Sequence, residues 1–123
     1  MAAANARRLG LDVRLRRADL LTGAGGPFDA LLANLPYVID ADFDGLAPEI
    51  SAYEPRLALA AGSDGLALLR RLISQVEAIP FVALEVGAGQ AEVVAAMLRD
   101  AGACKVEVRR DLAGIERVVV ATR

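Results

Sequence analysis

Two short apolar runs limit what this chain can become: FDALLANL at residues 28–35 and FVALEVG at residues 81–87. Each is bounded by turn residues, and Pro80 stands at the entrance of the second. A strand covered on both faces reads this way, as a continuous apolar stretch rather than an alternation. Neither run approaches the ~18 residues needed to cross a bilayer. Helix-period sequence surrounds the second run. Ser63 and Asp64 can cap a helix from about Gly65 to Glu77, with Leu66, Leu69, Ile73 and Val76 on one face. Ala88 to Ala101 reads as another, burying Val93, Val94, Met97 and Leu98 and stopping at Gly102. Strands alternating with helices imply an α/β sheet.

The rest of the chain extends that pattern. Ala2–Leu9 reads as the end of a helix stopped by Gly10, and Leu11–Arg17 alternates apolar and polar as a strand does. Thr22–Pro27 is a loop, and Asp40–Tyr53, with Pro48 inside it, is expected to be a loop with one short helical turn. CKVEVRR and ERVVVAT are two strand runs flanking Asp111–Gly114, a span that suits an antiparallel hairpin. The expected fold is a single domain over residues 1–123, its sheet mostly parallel with one reversed strand. Much of the apolar content is alanine, which favours close helix–sheet packing over a bulky core.

Composition removes several functions. The formal net charge is −2, and the arginine pairs at 7–8, 16–17, 70–71 and 109–110 are spread through the chain like solvated faces. No basic stripe with stacking aromatics marks a nucleic-acid binder. There is one cysteine, Cys104, and no histidine. That excludes an intrachain disulfide and any scheme built on a histidine base, and it leaves no metal site to expect. The opening MAAANARRLG places its charges after its small residues, the wrong order for a secretory leader. A cytoplasmic location is expected.

One tetrapeptide carries chemistry. Asn34-Leu35-Pro36-Tyr37 falls where the first apolar run ends, and ligands of open parallel sheets sit outside the carboxyl ends of strands. The Asn34 side-chain oxygen and the Leu35 carbonyl are acceptors that can converge on both hydrogens of one NH2 group. Pro36 stiffens the turn, and Tyr37 can lie over the flat face of the group being held. A nitrogen held and desolvated this way can present its lone pair to an electrophile without a histidine base. The same four residues also suit an ordinary proline turn with Tyr37 packed on the surface.

The tetrapeptide resembles the Asn-Pro-Pro-Tyr signature of S-adenosylmethionine-dependent amino-methyltransferases. YEPRLALAAGSDGLALLRRLI, LEVGAGQAEVV and RDLAGIERVVVA, in that order, resemble the C-terminal half of the HemK-like family. Those enzymes methylate a glutamine side-chain amide in peptide-chain release factors. The resemblance implies a partial Rossmann-like methyltransferase sheet with a C-terminal antiparallel hairpin, and S-adenosyl-L-methionine as cofactor. It implies that Asn34, Leu35, Pro36 and Tyr37 hold the glutamine amide, with Asn34 also near the methionine end of the cofactor. Asp19 and Leu20 match the strand end bordering adenine, where the Asp19 carboxylate would accept from the exocyclic amine; a loop cap is its alternative role. Glu54 and Arg56 match as an ion pair, Asp64 and Gly65 as a helix start. Glu85 and Gln90 match as architecture, with a pocket-facing Glu85 the alternative.

Two departures accompany the resemblance. Leu35 replaces the first proline of the signature, which is harmless if only its carbonyl is used. The family's glycine-rich turn after strand one and the ribose-binding acid after strand two have no counterpart, and neither has the domain that helps bind release factors. The family's strand order, three-two-one-four-five-seven-six, would leave two empty positions, roughly 14 Å at ~4.8 Å per step, between Leu11–Arg17 and Phe28–Ala33. The two strands would close up, another chain would fill the gap, or the product would fold poorly. Association through the open edge is one expectation, and so is a truncated or late start at Met1. The expected function is methyl transfer to a release-factor glutamine. A nucleic-acid base acceptor and a non-catalytic folded remnant are the alternatives; no nucleic-acid partner and no membrane are expected.

Overall fold

The structure is a computed structural model that describes residues 1–36 and 65–123. The elements are α1 (Ala2–Arg8), β1 (Ala30–Asn34), α2 (Ala67–Ile73), β2 (Phe81–Glu85), α3 (Ala91–Asp100), β3 (Lys105–Arg110) and β4 (Glu116–Thr122). The four strands form one sheet in the order β1-β2-β4-β3. β1 and β2 are parallel, while β4 runs antiparallel to both β2 and β3. Three strands therefore share one direction and β4 alone is reversed, the α/β arrangement that the two apolar runs and the hairpin imply.

One face of this sheet is the core. Val82 and Leu84 of β2 and Val119 and Ala121 of β4 have no exposed surface, and Leu84 and Val119 are register partners. α2 and α3 cover them. In α3 the buried positions are Ala91, Val94, Ala95 and Leu98, spaced i, i+3, i+4, i+7 on one stripe. Val93 lies off that stripe and is 45% exposed, which corrects its expected burial. Met97 is only half buried. The small residues Ala91 and Ala95 let α3 sit close to the strands.

α2 is shorter than its apolar pattern, and α3 is shorter than the expected span Ala88–Ala101. α2 begins after Gly65, whose φ of +70° a glycine adopts without the clash a Cβ would bring. Beyond Ile73 the backbone tightens to i→i+3 hydrogen bonds, with the Gln75 N–H on the Leu72 carbonyl at 2.9 Å and the Ile79 N–H on that of Val76 at 3.0 Å. Val76 and Ile79 are still buried, so the apolar face outlasts the helix that was expected to carry it to Glu77. The expected cap at Ser63 and Asp64, the Asp40–Tyr53 loop and the Glu54–Arg56 pair lie outside the described residues.

Two strand expectations are corrected. Leu11–Arg17 forms no strand: Leu11, Val13 and Leu15 are 56%, 52% and 49% exposed. Alternation makes a strand only where a neighbouring edge takes up the backbone N–H and C=O groups. Leu11–Arg17 pairs with no described strand, because the residues that follow it are tied elsewhere. The Arg71 guanidinium donates to the Asp19 carboxylate at 2.6 Å, and the Leu21 N–H to Gln75 Oε1 at 3.0 Å. Nor is β1 covered on both faces. Leu31 and Ala33 pack against the core, but Leu32 points the other way and is 76% exposed. α2 and α3 both lie on the Leu31 side, and β1 is an edge strand of the described sheet.

The β3–β4 hairpin is closed by a carboxylate. Asp111 accepts from the backbone N–H groups of Ala113 and Ile115, each at 2.9 Å, and from Arg117 at 3.4 Å. The Ile115 N–H is the chief reason its pKa lies below the ordinary aspartate value, against a smaller opposing effect of burial. A depressed carboxylate pKa adds stability that is complete above the unfolded value, about 3.9, and is lost as pH falls through the folded value. Amide-exchange protection of the hairpin should therefore weaken on acidification below about pH 4. In Asp111→Ala that acid-dependent step should vanish; an unchanged step would show that the turn does not depend on this carboxylate.

Candidate functional site

The carboxyl ends of β1 and β2 lie side by side, with Asn34 and Glu85 as register partners. Alternation puts both side chains on the sheet face away from α2 and α3, in the row that also holds Leu32 and Ala83. Asn34 is exposed and Glu85 half buried. The Asn34 amide is therefore directed out of the core at a strand tip, as a ligand-holding group must be. Leu35 follows with its side chain packed against the core. Packing occupies that side chain and leaves the backbone carbonyl as the group available to a ligand. Pro36 is half buried beside it, and Tyr37 lies outside the described residues.

Asp19 and Leu20 are not brought to this place. They sit in a turn rather than at a strand end, with Leu20 at a φ of +54°. A leucine in that left-handed conformation is uncommon and needs surroundings that hold it. Here the holding groups are Arg71 and Gln75, at and beyond the end of α2, where the chain is about to enter β2 from its amino end. Leu21 also shares a cavity of about 440 Å³ with Gly26, Phe28 and Ile79, residues that immediately precede β1 and β2. The Asp19 turn thus lies at the amino ends of the parallel pair, opposite Asn34. Its carboxylate is paired with a guanidinium rather than free for an adenine amine. Nothing in the sequence marks that pair, because its members are 52 residues apart.

The glycine-rich stretches separate in the same way. Gly23–Gly26 leads into the amino end of β1. Gly87–Gly89 stands between the carboxyl end of β2 and α3, the context in which such a turn can cradle an anionic or polar ligand. In this turn the Gly87 N–H donates to Gln90 Oε1 at 2.8 Å. That amide is used within the chain, which is the architectural role expected of Gln90. Among the described residues, then, the groups that would make an S-adenosylmethionine pocket do not come together: Asn34 is at the carboxyl end of the parallel pair, Asp19 and Leu20 are at its amino end, and the Gly87 N–H of the well-placed glycine turn is taken by Gln90. Among those residues no cluster of His, Cys, Asp and Glu is placed to hold a metal ion, and no helix is long and apolar enough to cross a membrane.

No protein-family model matches the chain. Curated proteins do. The chain is 41% identical, over its full length, to a release factor glutamine methyltransferase of Rhodospirillum rubrum, of which it covers 40%. It is 42% identical to one of Deinococcus radiodurans and 38% identical to one of Caulobacter vibrioides, covering 45% of each. The chain thus spans less than half the length of the curated relatives it matches. A crystal structure of a release factor-specific protein-(glutamine-N5) methyltransferase from Alicyclobacillus acidocaldarius superposes with a TM-score of 0.50 at 28% identity, over 84% of this chain and 53% of that one.

Proposed function

We propose, for a chain homologous over its whole length to the C-terminal part of the release factor glutamine methyltransferases, that it supplies the acceptor-holding portion of an enzyme that methylates a glutamine side-chain amide. The observation that carries the reading is the position of Asn34, exposed at the carboxyl tip of β1 and followed by a leucine whose side chain is committed to packing. Asn34 Oδ1 and the Leu35 carbonyl accept the two hydrogens of the substrate NH2 group. Pro36 limits how the Leu35 carbonyl can swing, and Tyr37 supplies an aromatic ring of the kind that can stack on an amide plane. Held by two acceptors, the amide nitrogen loses solvating water, and its poor nucleophilicity is offset by orientation. The methyl group would come from S-adenosylmethionine, whose sulfonium carbon is the electrophile of such enzymes. The substrate is a peptide-chain release factor, met in the cytoplasm, and residues 1–123 act as one domain.

The test is a chimera in which this chain replaces the matching segment of the Rhodospirillum rubrum relative. Methyl transfer from labelled cofactor to a release factor, with none to RNA, is the expected result. Transfer to RNA alone would move the acceptor to a nucleic-acid base. Loss of all transfer by a folded chimera would favour a non-catalytic remnant.

The separation of Asn34 from Asp19 has its own consequence. The 123-residue chain alone should bind S-adenosylmethionine weakly or not at all. Calorimetry should show no saturation at micromolar cofactor; a micromolar dissociation constant would mean that these residues assemble a pocket by themselves.

A further inference from the structure

An asparagine that must accept with its oxygen has a second end to control. Its amide can flip, and the flipped form offers an NH2 donor to the substrate NH2, which repels it. The side chain that can settle this is the one in register with it. Glu85 is the β2 partner of Asn34, on the same face and about 4.8 Å away between backbones. Glu85 is half buried, yet no donor among the described residues pairs with its carboxylate. Its other register neighbour in that row is Val118 of β4, which offers no polar group, and the next residue across is Arg109 of β3. The Arg109 guanidinium is already engaged with Glu107 at 2.7 Å. A half-buried acceptor without a donor among the described residues therefore stands beside an amide that needs one end fixed, and the register makes the two side chains neighbours on one face.

We propose that Glu85 is a positioning residue: it accepts a hydrogen bond from the Asn34 Nδ2 group and so turns Asn34 Oδ1 toward the acceptor amide. This rests on the reading that Asn34 holds that amide. The carboxylate does not touch the substrate; it fixes the orientation of the group that does.

Two measurements test it. The chain has one other asparagine, Asn5, exposed on α1, which serves as an internal standard. In the 15N-labelled 123-residue chain, one Asn34 side-chain NH2 proton should lie downfield of those of Asn5 and exchange with water more slowly. Glu85→Ala should collapse both differences. Glu85→Gln should keep part of them, because its carbonyl still accepts. Asn34 signals that match Asn5 in the wild type, or that ignore Glu85→Ala, overturn the proposal. In the chimera, Glu85→Ala should lower kcat roughly tenfold to a hundredfold with KM little changed, the scale of losing a charge-assisted hydrogen bond, and Glu85→Gln should recover part of it. An unchanged kcat in a variant with lost Asn34 signatures also overturns it. If instead Asn34→Ala leaves kcat unchanged, the reading of Asn34 fails, whatever the spectra say about Glu85. Backbone amide spectra of each variant separate these outcomes from unfolding, and the isosteric Gln variant keeps the proposal falsifiable if the Ala variant does not fold.

Discussion

Asn34→Ala should lower methyl transfer by the chimera about a hundredfold or more, with the fold intact. The size follows from what the residue does. One of two preorganised polar contacts to the reacting group is removed, and in water-poor sites the loss of one such contact costs 10²–10³ in turnover. The fold should survive because Asn34 is exposed, at the last position of an edge strand, and its side chain takes no part in the core. Turnover and thermal denaturation measured on the same preparation separate the two effects. Unchanged turnover would return residues 34–37 to an ordinary proline turn. A parallel loss of stability would mean that the amide has a structural partner instead.

A large effect on stability belongs to Leu84. It is fully buried on β2, faces Val119 across the antiparallel pair and lies under the helices. Leu84→Ala should cost about 2–5 kcal/mol, combining lost transfer energy with the cavity left behind. In a domain of this size that lowers the melting temperature by roughly 10–20 °C. Val93→Ala is the matched control. That side chain is 45% exposed on α3, so its loss should change stability by no more than about 0.5 kcal/mol. Calorimetric melting of the two variants side by side checks both. A Leu84 variant that melts with the wild type would show that β2 is not at the centre of the packing.

These contrasts show where local sequence was a sufficient guide. α3 and the hairpin were legible because each has its partners nearby in the chain: β3 and β4 pair across a short turn, and α3 packs on the strands that follow it; β2 was legible from its continuous apolar run, not from its distant partners. Leu11–Arg17 carries an equally good alternation but forms no strand, because a strand depends on a neighbour that sequence pattern does not reveal. The same limit applies to the site. Asn34 was found because strand-end position and chemical type coincide within four residues. The Asp19–Arg71 pair was invisible, since two exposed charges far apart in sequence carry no mark of meeting. The juxtaposition of Asn34 with Glu85 needed the register of β1 against β2, which no local signal supplies. Leu32 misled for a different reason: an apolar residue in a strand reads as buried whether or not a second layer covers it.

β4 lies between β2 and β3, although it is the latest of the four in sequence. During synthesis the ribosome delivers both outer neighbours before the segment that joins them. Until Glu116–Thr122 has emerged, β2 has one unpaired side and β3 has no partner at all. Each of those sides is an open template for a stray chain. Assembly of this half of the sheet therefore waits for Glu116–Thr122, and deletion of that one segment would forfeit two ladders, not one.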